Sequence, residues 1–130
     1  MSKSLGSYGD PLTAPFWAAA RDHRLTIQHC RDCGRHQFYP RPFCLSCGSS
    51  NLEWVVTDGL GIVYSVTTVR IAVLPDLPPP YQVALVDLEE GPRFLAGIAG
   101  EDVQIGDRVQ MTWKEREGEP PLPMFRRAIE

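Results

Sequence analysis

The chain has 130 residues, of which 43% are apolar, 22% are charged and twelve are proline. A compact chain of this size buries roughly two thirds of its unfolded surface, so there is room for one sizeable core, and the composition excludes a disordered or fibrous protein. The net charge of −3 is split into +3 over residues 1–50 and −6 over residues 51–130, so neither part carries the strong positive field on which nonspecific nucleic-acid binding relies.

The N-terminal "MSKSLGSYGDP" has no apolar signal region, and the longest apolar runs, such as "YQVALVDL" from Tyr81 to Leu88, are too short to span a bilayer. A cytoplasmic protein is therefore expected, and in a reducing compartment paired cysteines more often bind metal than form disulfides. The segment "DPLTAPFWAAARDHRL" predicts a helix, capped by Asp10 or Thr13, with Pro11 or Pro15 in its first turn and good helix formers from Phe16 to Arg21. Phe16 and Trp17 are expected to pack on the protein's own core rather than to form a partner surface.

"RLTIQHC" then alternates as a strand leading into a first Cys-x-x-Cys pair, and "LEWVV" does the same after a second. From Gly59 the text turns to β: "GIVYSVTTVRIAVL", "YQVALVDLEE", "PRFLAGIAG" and "DRVQMTWKERE" follow one another, joined by turns at "EEGPR" and "IGDR". Four or five strands without an intervening helix predict a small closed barrel such as an OB-fold. "LPDLPPPY", residues 74–81, is expected to interrupt it as a stiff extended connector, because proline cannot donate to a sheet ladder. The fold class is thus mainly β: an N-terminal lead and helix over 1–24, a cysteine-bearing ribbon over 25–56, and a barrel with a C-terminal tail over 57–130.

The four cysteines, Cys30, Cys33, Cys44 and Cys47, form two knuckles, each followed at once by glycine, Gly34 and Gly48. Glycine at that position permits positive φ, which turns backbone amides toward the sulfurs and stabilises their charge. Two such knuckles present four thiolates as a tetrahedron, the geometry of closed structural zinc sites. Iron also accepts four thiolates, which leaves an electron-transfer reading open; visible colour separates the two metals. If all four sulfurs are ligands, no cysteine remains as a nucleophile and the metal has no open position for water.

Other chemistry is sparse. His23, His29 and His36 have no serine or acid spaced as a triad, and Glu89 and Glu90 sit at a turn where solvation is the simpler expectation. Gly97 and Gly100 read as bulge or turn positions at a strand end, not as a phosphate loop. Tyr64 and Tyr81 are aromatics on strands that could stack on bases, which supports a second reading as a nucleic-acid-binding protein against the acidic charge of the barrel half.

The order of parts, from "PFWAAARDHRLTIQHCRDCGRHQFYPRPFCLSCGS" through "GIVYSVTTV", "YQVALVDLEEGPRFLAGIAG" and "VQIGDRVQMTW" to "LPMFRRA", resembles a family over about residues 11–127. That family comprises small proteins with a rubredoxin-like zinc ribbon and an OB-fold, long described as a domain of unknown function, which accompany thiolase-like enzymes. The resemblance implies a zinc-binding accessory subunit, without catalytic residues of its own, that binds a thiolase-superfamily acyltransferase, synthase or aldolase, including steroid side-chain aldolases. It implies a share in the partner's acyl-CoA site. The lead is short here, so a second helix found in longer members is expected to be absent.

Coenzyme A carries phosphates that favour arginine forks and an adenine that favours an aromatic or arginine face. Arg31, Arg35, His36 and Arg41 cluster around the knuckles in sequence, beside Phe38 and Tyr39, and are the candidates to meet coenzyme A or the partner protein. Charge balance for the thiolates is the competing role, and Arg126 and Arg127 are undecided in the same way.

Overall fold

The protein is described from a computed structural model, which covers residues 11–72 and 78–128. The polar lead with Asp10, and residues 73–77 of the proline connector, lie outside the described residues. Among the described residues, no helix is long and apolar enough to cross a membrane.

Helix α1 (Ala14–Arg21) has Thr13 at its N-cap position and Pro15 in its first turn, although the Thr13 hydroxyl makes no capping bond. Its C-terminus is closed by two backbone bonds, Arg24 N–H to the Ala19 carbonyl at 3.0 Å and His23 N–H to the Ala20 carbonyl at 2.9 Å. This is a Schellman arrangement, which normally places glycine where His23 stands with φ of 60°. The side chain offers compensation: His23 Nε2 lies 2.5 Å from a Glu115 carboxylate oxygen, and its ring centre lies 5.7 Å from that of Trp113. The helix end is thereby tied to a residue 92 positions away in the sequence.

The ribbon is a three-stranded antiparallel sheet in the order β2-β1-β3, with β1 (Thr26–Cys30) between β2 (His36–Gln37) and β3 (Leu52–Val56). Behind it stands a closed barrel in the order β4-β5-β6-β8-β7, built from β4 (Leu60–Val69), β5 (Tyr81–Leu88), β6 (Arg93–Ile98), β7 (Arg108–Arg116) and β8 (Glu119–Arg127). β4 stops at Val69, short of the apolar run that continues to Leu74 in the sequence.

The fifth strand corrects the expectation of a C-terminal tail. β8 contains Pro120, Pro121 and Pro123, which argue against a strand, yet its proline-bearing half pairs only with β7. Its parallel pairing with β6 begins later, at Gly97 with Met124 and Ile98 with Phe125. Proline is tolerated where one side of a strand needs no donor, and here that side stays unpaired until the prolines have passed.

One apolar core runs through helix, ribbon and barrel, joining Phe16, Leu25 and Ile27 to Val63, Val86, Phe94, Val109 and Phe125. Phe38, from the end of β2, is stacked on Phe94 of the barrel with ring centres 4.5 Å apart. Phe16 meets both rings, at 5.4 Å from Phe38 and 6.2 Å from Phe94. Phe16 is therefore a core residue as expected, whereas Trp17 stays half-buried and packs edge-on against it.

The junction between ribbon and barrel is fixed by polar contacts. Glu90, expected to be solvated, accepts from the Thr57 hydroxyl at 2.8 Å and from the Asp58 amide at 3.1 Å. Thr57 is buried, and its amide bonds to the Leu25 carbonyl.

Two stability predictions follow from these contacts. Phe94→Ala should lower the free energy of unfolding by about 3–5 kcal/mol, because it removes the ring on which both Phe16 and Phe38 rest; chemical denaturation measures the loss. At the helix end, His23→Ala keeps the left-handed backbone and loses the Glu115 and Trp113 contacts, whereas glycine relieves that backbone. His23→Gly should therefore melt above His23→Ala, by an amount equivalent to about 1 kcal/mol.

Candidate metal centre and an adjoining apolar groove

The sulfurs of Cys30, Cys33, Cys44 and Cys47 all lie within 4.8 Å of one another. The closest pairs, Cys30 with Cys47 and Cys33 with Cys44, are each 3.6 Å apart. A tetrahedral zinc with bonds of about 2.3 Å needs sulfurs roughly 3.8 Å apart, so the residues present fit a four-thiolate ion.

The two knuckles have matching backbones. Gly34 and Gly48 adopt φ of 85° and 80°, and their amides bond back to the carbonyls of Cys30 and Cys44, each at 2.8 Å. Amides also face the sulfurs, Cys33 N–H toward Cys30 Sγ at 3.5 Å and Ser46 N–H toward Cys44 Sγ at 3.3 Å. The Cys47 amide, followed by that of Ser46, brings the Cys44 thiol down to about 6. Asp32 laces the first knuckle to the second, accepting from the Ser49 hydroxyl at 2.5 Å and from the Asn51 side-chain amide at 3.3 Å.

The four cationic candidates do not form one cluster. Cross-strand register puts His36, His29 and Glu53 in a row on one face of the ribbon sheet. The two imidazole centres are 4.8 Å apart, His29 Nδ1 is 2.6 Å from Glu53, and Arg31 Nε reaches the other Glu53 oxygen at 3.1 Å. His29, and after it Arg31, holds the Glu53 carboxyl below its usual range. This contribution is present above the ordinary glutamate value and fades as pH falls through the depressed one. Arg35 is exposed, and its carbonyl accepts the Cys30 amide at 2.9 Å.

Arg41 belongs to the other face, where Gln28 was missed by sequence reasoning. The buried Gln28 side chain donates to the Arg41 carbonyl at 3.0 Å and accepts its amide at 2.9 Å, while Gln37 donates to the same Gln28 oxygen at 2.8 Å. A glutamine between Ile27 and His29 in a strand was the only signal in the sequence. The Arg41 guanidinium carbon lies 5.8 Å from the centre of the Tyr39 ring.

Tyr39 opens onto a groove of about 500 Å³ between α1, the segment after β2, and strands β5, β6 and β8. Its walls are almost wholly apolar, with Phe16, Trp17, Phe38, Tyr81 and Leu95 among them. Gly97 forms part of it from inside β6, not from the turn or bulge the sequence suggested; a Cβ there would approach the Met124 methyl to 3.0 Å. The other strand tyrosine considered for stacking, Tyr64, is covered by the Arg93 guanidinium at 3.4 Å, which is itself paired with Asp87 at 2.7 Å.

Comparison with known proteins adds to this geometry. Residues 17–53 match the family described as the ChsH2 rubredoxin-like zinc ribbon domain, and residues 54–114 match the ChsH2 C-terminal OB-fold domain. A probable enoyl-CoA hydratase alpha subunit of Thermomonospora curvata is 41% identical over 88% of this chain and 37% of its own length. A 3-oxo-4,17-pregnadiene-20-carboxyl-CoA hydratase alpha subunit of Mycobacterium tuberculosis is 36% identical over 78% of this chain and 33% of its own length. The chain thus spans about a third of those two relatives. A DUF35 domain-containing scaffold protein of Pyrococcus furiosus is 37% identical over 82% of both chains. Among solved structures, a chain of the Ltp2-ChsH2(DUF35) aldolase superposes with a TM-score of 0.85 at 34% identity, covering 98% of this chain and all of that one.

With a zinc-type ribbon established, Cys33→Ser should carry well under one zinc per chain by atomic absorption, and strong chelators should lower the melting temperature of the parent protein. The loss should be large, since zinc coupled to folding of small modules contributes on the order of 10–16 kcal/mol. Four sulfurs in a two-knuckle ribbon, a barrel packed behind them through one core, and these matches together show that the chain belongs to the DUF35 family of ChsH2-type zinc-ribbon and OB-fold proteins.

Proposed function

We propose that this chain is a noncatalytic, cytoplasmic accessory subunit that binds a thiolase-superfamily enzyme and helps form or bridge its acyl-CoA site. The observation that carries the reading is the match over nearly the whole chain to a component of an aldolase complex. The names of two relatives point the same way, since both act on acyl-CoA thioesters and one on a steroid carboxyl-CoA. The chemistry of the chain agrees with a supporting part. Its four cysteines are committed to the metal set, and among the described residues no hydroxyl or thiol nucleophile is bonded to the histidine–carboxylate pairs His23–Glu115 and His29–Glu53. Nucleophile and base then belong to the partner.

In this reading Arg31, Arg35, His36 and Arg41 meet the phosphates of coenzyme A or an acidic surface of the partner. Arg31 already serves Glu53, which supports Arg41 and Arg35 as the more available groups for an anion. The tagged, zinc-loaded chain should co-purify in fixed stoichiometry with a protein identified by mass as a thiolase-superfamily member. Arg35→Ala should keep the melting temperature and raise the KM of the reconstituted complex for acyl-CoA about 10-fold or more, the size of one charge-assisted bond. Failure to capture any thiolase-like protein from the native lysate would sink the reading.

A further inference from the structure

The groove beside Tyr39 has the character of a small-molecule site. It is concave, its volume of about 500 Å³ falls within the roughly 300–1,000 Å³ typical of ligand pockets, and it lies where helix, ribbon and barrel meet. Its shape does not depend on a loose loop. Phe16, Phe38 and Phe94 are locked against one another behind it, and Gln28 clamps the backbone at its rim from both sides of Arg41. Leu95, at its open side, is 62% exposed, an apolar group left in water unless something covers it.

What distinguishes the groove from a bare apolar patch is the charge at its edge. One short segment supplies Phe38, Tyr39 and Pro40 to the wall and ends with Arg41, whose guanidinium carbon lies 5.8 Å from the centre of the outer ring, Tyr39. An occupant matched to this segment has an apolar body and an anionic head. A neutral lipid would leave Arg41 without a counterpart, and a purely anionic ligand would leave the walls unused.

We propose that this groove seats the apolar acyl group of an acyl-CoA, with Arg41 at the rim facing the anionic coenzyme. The inference rests on the accessory-subunit reading and sharpens it: the chain contributes a wall for the acyl group, and not only contacts to coenzyme A. Substrate preference would then lie partly in this chain, through Trp17, Tyr81, Val83 and Leu95.

The test is calorimetric titration of the zinc-loaded full chain, alone and in its purified complex, with dodecanoyl-CoA below its micelle concentration, with dodecanoate and with coenzyme A. Dodecanoyl-CoA should bind at roughly micromolar strength and coenzyme A about ten-fold or more weaker, because only the former buries apolar surface. Val83→Trp, which fills the groove from a half-exposed position on β5 opposite Gly97, should weaken dodecanoyl-CoA about ten-fold or more and leave capture of the partner intact. Leu95→Glu, at an exposed position that the fold tolerates, should do the same by placing a like charge at the opening. Arg41→Ala should weaken dodecanoyl-CoA and coenzyme A more than dodecanoate, which has no phosphates. Equal binding of coenzyme A and dodecanoyl-CoA, or unchanged affinity in both groove variants, overturns the proposal. Loss of partner capture in Val83→Trp or Leu95→Glu, with acyl binding absent from the parent chain and complex, makes the groove a protein interface and overturns it while leaving the accessory-subunit reading in place.

Discussion

The stack of Phe38 on Phe94 is the contact on which the arrangement of this protein depends. A zinc ribbon with a three-stranded sheet has little core of its own, and small modules of that kind rely on their metal to stay folded. Here the ribbon also lends an aromatic ring to the barrel, and Phe16 from the helix fills the angle between them. The metal shapes the knuckles at one end of the sheet, while the rings fix the other end against β6. Between these two anchors the segment from Arg35 to Arg41 has its ends set, so Phe38 turns in to the barrel while Arg35, Tyr39 and Arg41 are exposed on a fixed backbone.

Charge follows the same division. The ribbon sets Arg31, Arg35 and Arg41 near the four sulfurs, whereas the acidic excess lies in the barrel half of the sequence. Several of those acids have structural work: Glu90 satisfies the buried Thr57 at the junction, Asp87 holds Arg93 over Tyr64, and Glu115 receives His23. An acidic barrel whose exposed aromatic is covered by a guanidinium is a poor platform for nucleic-acid bases, which stack on open rings and need a cationic groove.

Much of this was legible in the sequence because the signals were local. Each knuckle is written within five residues, and strands β4 to β7 announce themselves through β-branched residues and glycine turns at Gly91 and Gly106. What escaped depends on pairings between distant segments. β8 was hidden because its prolines are judged against an average strand, and only the topology shows that their unpaired side faces no neighbour. Gln28 and Glu90 read as ordinary polar residues until the partners 13 and 32 or more positions away are known. The groove could not be read at all, since its walls come from α1, the ribbon and three strands of the barrel. The arginines near the knuckles were visible as a cluster in sequence, but Gln28 of β1 holds the Arg41 backbone, whereas its strand neighbour His29 faces His36 and the Glu53 that Arg31 serves.

The position of β8 in the barrel has a consequence for how the molecule comes into being. The strand lies between β6 and β7, so a segment synthesised after both is inserted between them. Until residues 119–127 leave the ribosome, β6 has an open edge and the barrel core lacks Phe125, its most deeply buried ring. The ribbon, complete by residue 56, is under no such constraint and can close on its metal first. A nascent chain would therefore present a finished metal knuckle ahead of an unfinished barrel, and the groove would gain its Leu122 and Pro123 wall only when β8 arrives.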